Sequence, residues 1–283
     1  RTQERKAMSH EIAALLRRLR HKVVRDLVWT CASPGLLSAE TTTTREEEEE
    51  EDCKPLPDAA GERLVSLSMQ WILALDDNPE NLVAHLAAPR RNANRLGLYA
   101  SALVEYFLAH CPALCTRKLV AAQQVVRRDA VVGSLKFVYC CAPTDASVRL
   151  ALGLDPSAEN TRPETHLGRP ALAHLEVSVK FFVRAPRAAK DDDAPRAPLA
   201  RFVGPFLHEN LAARVETCRR KVALATEMNV RRWATAEVLS GRGTRDASVV
   251  KKIASRSALR GYLFYEVGSD QEEEEEDPGP GVS

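Results

Sequence analysis

The spacing of apolar residues predicts a helical N-terminal third. Across residues 11–29, apolar positions recur at steps of three and four, which is typical of an amphipathic helix. The same spacing across residues 62–75 predicts a second helix, and Asn78 followed by Pro79 predicts the start of a third. The apolar stretch 96–110, closed by Pro112, predicts the clearest helix of the chain.

After residue 112 the pattern changes to one expected of strands, and later to a mixture of helix and strand. The elements predicted there are strands 118–126, 131–141 and 173–183, helices 206–225 and 247–258, and a final strand 259–267. Three strands in succession favour a mixed or antiparallel sheet over a doubly wound one. The predicted fold class is therefore α/β (α+β): a mixed sheet flanked by helices, with a helical N-terminal extension.

Segments of low complexity set the predicted domain boundaries. Residues 39–58 are rich in Thr, Glu and Pro and predict a disordered insert, and residues 269–283 predict a disordered acidic tail. Residues 142–170 have little pattern and predict a long loop. We therefore expect a helical region over residues 1–90 that contains the insert, and a folded core over residues 91–268.

Charge is unevenly distributed along the chain. The formal net charge is +1, but residues 46–52 are consecutive acids and residues 270–277 are nearly all acidic. Setting these two tracts aside leaves about 15 more Lys and Arg than acids. A folded part with this surplus would attract the phosphates of nucleic acid as a partner. The alternatives are that the acidic tracts keep a basic chain in solution, and that the partners are other proteins.

Cysteine usage and hydropathy bear on the compartment. The chain has seven cysteines and no Cys-x-x-Cys pair, which is a poor disulfide framework and fits a reducing compartment. His110, Cys111 and Cys115 have a spacing that zinc permits, but no second pair follows, so free buried thiols are favoured. No apolar run approaches the roughly 18 residues of a membrane helix. We expect an intracellular, cytoplasmic protein without a membrane partner; the basic residues 5–25 leave a mitochondrial presequence as the alternative.

Candidate chemistry lies on the strand predicted over residues 173–183. Side chains alternate between the faces of a strand, so His174, Glu176, Ser178 and Lys180 share one face. A carboxylate there can hold a hard cation such as Mg²⁺, and an ammonium can stabilise negative charge that develops on a phosphate. The alternative is an amphipathic strand whose polar face is in water.

Six short segments of the chain carry a resemblance to a known family. In order they are 24–29, 95–99, 133–137, 174–182, 203–211 and 259–265. Together they resemble a bacterial family catalogued as domain of unknown function 1853, which is placed among PD-(D/E)XK nuclease-like folds. The resemblance implies a restriction-endonuclease-like core, with Glu176 and Lys180 as catalytic residues and Glu176 as the metal ligand.

The chain departs from this family where the family has acids. Those positions hold Ser101, Ser134 and Lys136, and Lys136 reverses the charge of the residue that should bind metal. The resemblance therefore implies a catalytically degenerate protein without a cofactor, or with Mg²⁺ if activity is retained. The alternative is a weak metal-dependent nuclease in which Glu105 or Glu209 completes the site.

Four basic residues are predicted to contact nucleic acid. Arg127 and Arg128 lie in the turn between two predicted strands, Lys136 lies at the altered metal position, and Arg214 lies in a predicted helix. For the turn, plain solvation is the alternative. Lys136 is also predicted to form an ion pair with Glu176.

Overall fold

The computed structural model describes residues 9–36, 55–88, 95–154, 171–185, 197–205, 208–239 and 253–264. The chain divides into two compact units. Residues 1–180 and 215–261 form the first unit, and residues 181–214 and 262–283 form the second. Among the described residues, no helix has both the length and the apolar character needed to cross a membrane.

The N-terminal region is helical, as the apolar spacing predicts. Its helices are α1 (His10–Arg18), α2 (Lys22–Ala32), α3 (Asp58–Leu67), α4 (Met69–Asp77), α5 (Glu80–Ala87) and α6 (Leu96–His110). Helix α6 has the bounds that the sequence predicts. A short 3₁₀ helix, Pro112–Leu114, follows it.

The single helix predicted over residues 11–29 is wrong, because α1 and α2 are separate. Leu19 has an extended backbone, with φ −67° and ψ 132°. The buried carboxylate of Asp76 accepts hydrogen bonds from the backbone N–H groups of Arg20 (2.8 Å) and His21 (2.9 Å). Burial raises the pKa of Asp76, but these bonds outweigh it and the net pKa is lowered. The helix predicted over residues 62–75 is likewise divided, between α3 and α4.

The strands form one sheet and confirm the predicted mixed α/β class. They are β1 (Lys118–Arg127), β2 (Ala130–Cys141), β3 (Ala171–Arg184), β4 (Phe202–Val203) and β5 (Ala254–Phe264). The pairs β1–β2, β2–β3 and β3–β4 are antiparallel, and β5 pairs with β3. Ser255 contacts His174, and Gly261 lies against Lys180. The second contact lies six residues after the first on both strands, so β5 runs parallel to β3. The sheet is therefore mixed.

The helices of the C-terminal half differ more from prediction. They are α7 (Ala146–Ala151), α8 (Ala197–Ala200), α9 (Leu211–Thr226) and α10 (Met228–Leu239). Helix α7 lies within the stretch predicted as a loop, and α9 begins five residues later than predicted. The helix predicted over 247–258 is wrong over 254–258, which belongs to β5; its first part, 247–252, lies outside the described residues.

The predicted disordered insert is wrong at its C-terminal end. Leu56 donates a backbone hydrogen bond to the carbonyl of Ser257 (2.7 Å), and Asp58 begins α3. Residues 55–58 are therefore part of the fold. The rest of the insert, residues 39–54, and the tail 269–283 lie outside the described residues.

Two apolar cores in the first unit cover opposite faces of the sheet. Phe137 and Leu175 belong to the core shared with helices α1 to α6. Val138 and Leu172, which alternate with them, belong to a second core shared with α10 and the end of α9. The polar positions of β3 therefore point towards the layer that contains α9.

Candidate functional site

The polar face of β3 is buried, so the alternative of a water-exposed face is wrong. His174, Glu176 and Ser178 are 1%, 5% and 6% exposed. Burying ionisable groups is costly unless partners compensate them. The partners of these side chains therefore decide what the face can do.

Glu176 is compensated by a lysine that the sequence analysis did not select. The ammonium of Lys221, on α9, donates a hydrogen bond to Oε1 of Glu176 at 2.8 Å. The side chain of Glu176 is 7% exposed and that of Lys221 is 26% exposed, so the pair is largely shielded from water. Charge-assisted bonds of this length are among the stronger polar contacts in proteins.

His174 is a neutral member of the same cluster. Its Nδ1 lies 2.7 Å from the hydroxyl of Ser255 on β5. Burial, and secondarily the positive charge of Lys221, lower the pKa of His174 to about 3. The imidazole is therefore uncharged at neutral pH, and it does not compete with Lys221 for the carboxylate of Glu176.

Two buried atoms of this cluster lack a hydrogen-bond partner within the described part of the chain. They are Nε2 of His174 and Oε2 of Glu176. Both belong to the same face of β3 and stand two residues apart. Searching the described ranges finds no group of three or more His, Cys, Asp or Glu side chains that could hold a metal ion. Glu176 is thus a single carboxylate with one oxygen bound to an ammonium.

The other predicted catalytic residue, Lys180, stands further along β3. It is half-buried and shares the face of Glu176 by alternation. Four residues of extended strand separate their Cα atoms by about 13 Å. The cation that the structure brings to Glu176 is Lys221.

Lys136 lies at an irregularity of the sheet. Leu135 packs in the core of α9 and α10, whereas Phe137 packs in the opposite core, although regular alternation would put both on one face. The neighbouring position of β1, Ala122, has a positive φ of 53°. Lys136 is half-buried at this point, where the regular alternation of side chains between the two faces is interrupted. The predicted pairing of Lys136 with Glu176 stays a prediction.

The predicted phosphate-contacting arginines occupy different places. Arg127 forms an exposed ion pair with Glu227, between α9 and α10, and Arg128 is exposed at the adjoining turn. Arg214 belongs to the second unit, where it pairs with Glu209 at 3.4 Å. Arg127 and Arg214 therefore each have a carboxylate partner of their own.

Ser101 and Ser134, which stand where the resemblance implies acids, make ordinary polar contacts or are half-buried. The hydroxyl of Ser101 donates to the carbonyl of Gly97 within α6 (2.6 Å). Ser134 is half-buried in β2 opposite Gln124. Neither side chain supplies a negative charge to a cation.

The helical spacing of the apolar residues in α9 could have identified Lys221 from the sequence. Cys218, Val222 and Ala225 are buried on one face of α9. Lys221 stands three residues after Cys218 and four before Ala225, so it lies on that same face. A lysine on the buried face of a helix needs a carboxylate partner, and Glu176 is the acid of the facing strand.

Comparison with known proteins gives a partial match. Residues 25–148 match the model of a domain of unknown function, DUF1853. The match covers less than half of the chain and runs from α2 to α7. Glu176, Lys180 and Lys221 lie beyond the matched residues. No curated protein and no solved structure matches the chain.

Proposed function

We propose that this chain is a non-catalytic protein with a PD-(D/E)XK-like core, and that it associates with nucleic acid without cleaving it. The observation that carries the proposal is the ion pair of the buried Glu176 with the half-buried Lys221, 2.8 Å apart. The mixed sheet and the match over residues 25–148 support the nuclease-like core. The surplus of Lys and Arg outside the acidic tracts supports the association with nucleic acid.

The argument against catalysis is electrostatic. A metal-dependent nuclease needs carboxylates that hold a divalent cation, which stabilises the attacking and leaving oxygens. A unit positive charge at 4 Å repels each unit charge of a cation by about 4 kcal/mol at an effective dielectric constant near 20. The ammonium of Lys221 would therefore oppose a divalent ion at Glu176 by roughly twice that amount. The pair replaces a metal site with an internal counter-ion.

The alternative function is a weak nuclease that uses Glu176 and Lys180. One observation favours it: Oε2 of Glu176 has no hydrogen-bond partner in the described ranges, so one oxygen remains as a ligand. For this oxygen to bind Mg²⁺, Lys221 would have to withdraw or lose its proton.

Cleavage assays separate the two functions. DNA and RNA are incubated with the purified chain and Mg²⁺ or Mn²⁺, beside a Glu176→Ala, Lys180→Ala variant. We expect no metal-dependent cleavage by either protein. Cleavage by the natural sequence that disappears in the variant would overturn the proposal.

Metal binding tests the internal counter-ion directly. We expect Lys221→Met to bind Mn²⁺ more tightly than the natural sequence, because the competing ammonium is gone. Arg220→Met removes a neighbouring charge whose guanidinium lies 3.5 Å from the hydroxyl of Thr217, and it is the matched control. Restoring acids with Ser134→Glu and Lys136→Asp should strengthen Mn²⁺ binding further. Equal Mn²⁺ affinity in all four proteins would show that Lys221 does not displace a metal.

A further inference from the structure

The hairpin of β1 and β2 ends in a tip that is exposed within the described part of the chain. All seven residues of the tip, 126–132, are exposed. Val126 and Val131 are cross-strand partners and are each 59% exposed. Because successive residues of a strand point to opposite faces, exposure of consecutive residues means that both faces of the ribbon meet solvent.

The turn makes this tip narrow. Arg128 and Asp129 have φ values of 47° and 65°, the combination that two-residue hairpin turns of type I′ require. Arg127 pairs with Ala130 across the strands, so the turn has no extra residues. The tip is therefore a two-stranded ribbon closed by the shortest common connection.

The hairpin carries a net positive charge, part of which is offset by the pair of Lys118 with Glu237. From residue 117 to residue 141 there are five basic residues and a single acid, Asp129. The basic residues are Arg117, Lys118, Arg127, Arg128 and Lys136. At the tip, Arg127 is paired with Glu227, but the two side chains are 54% and 38% exposed. A surface pair of this kind contributes about 0–1 kcal/mol and can be exchanged for a phosphate.

We infer that the β1–β2 hairpin is an arm that binds duplex DNA by placing residues 126–132 in the major groove. The inference rests on the proposed association with nucleic acid. The major groove is about 12 Å wide and about 8.5 Å deep, and it admits a two-stranded β-ribbon. The exposed tip extends for roughly three residue pairs, or about 10 Å. The arginines supply the charge that phosphates and guanine edges attract.

The test compares two pairs of arginines that carry the same charge. Arg127→Gln with Arg128→Asn removes two charges from the tip, and Asn tolerates the positive φ of the turn. Arg17→Gln with Arg18→Gln removes two charges from α1 and is the control. Binding of a labelled DNA duplex is measured by fluorescence anisotropy over a series of salt concentrations. Thermal unfolding of each variant verifies that it folds.

We expect the tip variant to bind the duplex at least about tenfold more weakly at low salt. The plot of log K against log salt concentration should become shallower by about two, because each lost phosphate contact reduces the magnitude of its slope by about 0.9. The control should keep the natural slope. The tip variant should lose less affinity for double-stranded RNA than for DNA, because the deep, narrow major groove of RNA excludes the ribbon. If the tip variant is unstable, Arg128→Asn alone leaves the pair of Arg127 with Glu227 intact and should lower the slope by about one.

The outcomes separate this inference from the proposed function. Duplex binding that is unchanged in the tip variant, or reduced equally in the control, overturns the arm and leaves the association with nucleic acid standing. Tighter binding of a single strand, insensitive to the tip variant, also overturns the arm. A natural sequence that binds no nucleic acid at low salt overturns both.

Discussion

The buried imidazole of His174 should make the fold less stable in mild acid than at neutral pH. Burial and the charge of Lys221 lower its pKa to about 3, against 6.5 for an unhindered histidine. In the unfolded chain the imidazole binds a proton below about pH 6.5, whereas in the folded chain it stays neutral down to about pH 3. The unfolded state therefore gains protons first, and stability falls as the pH falls through this window.

The size of the effect follows from the two pKa values. Each pH unit between them costs about 1.4 kcal/mol in the free energy of unfolding. Between pH 7 and pH 5 the loss amounts to about 2 kcal/mol, because the first half unit lies above the unfolded pKa. The lowered pKa values of Asp145, about 2, and of Asp76 affect stability below about pH 4, so these two carboxyls add little to the loss between pH 7 and pH 5.

Urea unfolding at about pH 7 and about pH 5 measures this loss. His174→Asn retains a polar atom near Ser255 and removes the titrating ring, so its free energy of unfolding should depend much less on pH. His110→Asn changes an exposed histidine and serves as the control. If His174→Asn loses as much stability in acid as the natural chain, the reasoning is refuted. An NMR titration that finds the ring of His174 protonating near pH 6 would refute it as well.

Two further predictions concern residues of β5. Gly261 has φ +142°, and a Cβ there would lie 1.6 Å from the carbonyl oxygen of Lys180. Gly261→Ala should therefore lower the midpoint of thermal unfolding severely. Gly97→Ala is the control and should leave that midpoint unchanged, because a Cβ at Gly97 would meet nothing within 4 Å. Arg260 is 2% exposed and pairs with Asp58 at 3.3 Å, so Asp58→Ala should cost about 3–5 kcal/mol in urea unfolding by leaving a buried charge uncompensated. Arg260→Met should cost less, because it removes that charge; the reverse order would contradict this reasoning.

Local patterns were sufficient for the central strands and for α6. In these elements the spacing of apolar residues within a short stretch of chain already indicates the structure, and the packing of the fold favours the same structure. The break between α1 and α2 was missed because its cause lies in Asp76, more than 50 residues away. Residues 254–258 were predicted as helix, but they pair with β3, so a partner distant in the sequence decides their structure.

The candidate site was half predictable for a related reason. Alternation along β3 correctly placed Glu176 among polar neighbours on one face, because that property belongs to a single strand. Whether the face met water depended on α9, which packs over it from 45 residues further along the chain. A pattern within β3 carries no information about that cover, so the burial of Glu176 and its pairing with Lys221 were not predicted.

The partner of Glu176 gives a stronger argument about function than the missing acids do. Ser101, Ser134 and Lys136 stand where the resemblance implies acids, but a carboxylate from elsewhere could substitute for them. An ammonium 2.8 Å from the remaining carboxylate is harder to reconcile with a metal, because it must leave before a cation can bind. Its departure would leave Glu176 buried without a counter-charge, which costs about 3–5 kcal/mol when one member of a buried pair is removed. A cation would have to repay that cost with a single oxygen ligand, whereas Mg²⁺ in proteins is usually bound by one or two carboxylates together with substrate phosphates. Under the proposed function, Lys221 is therefore the internal counter-ion of the carboxylate that a catalytic metal would need.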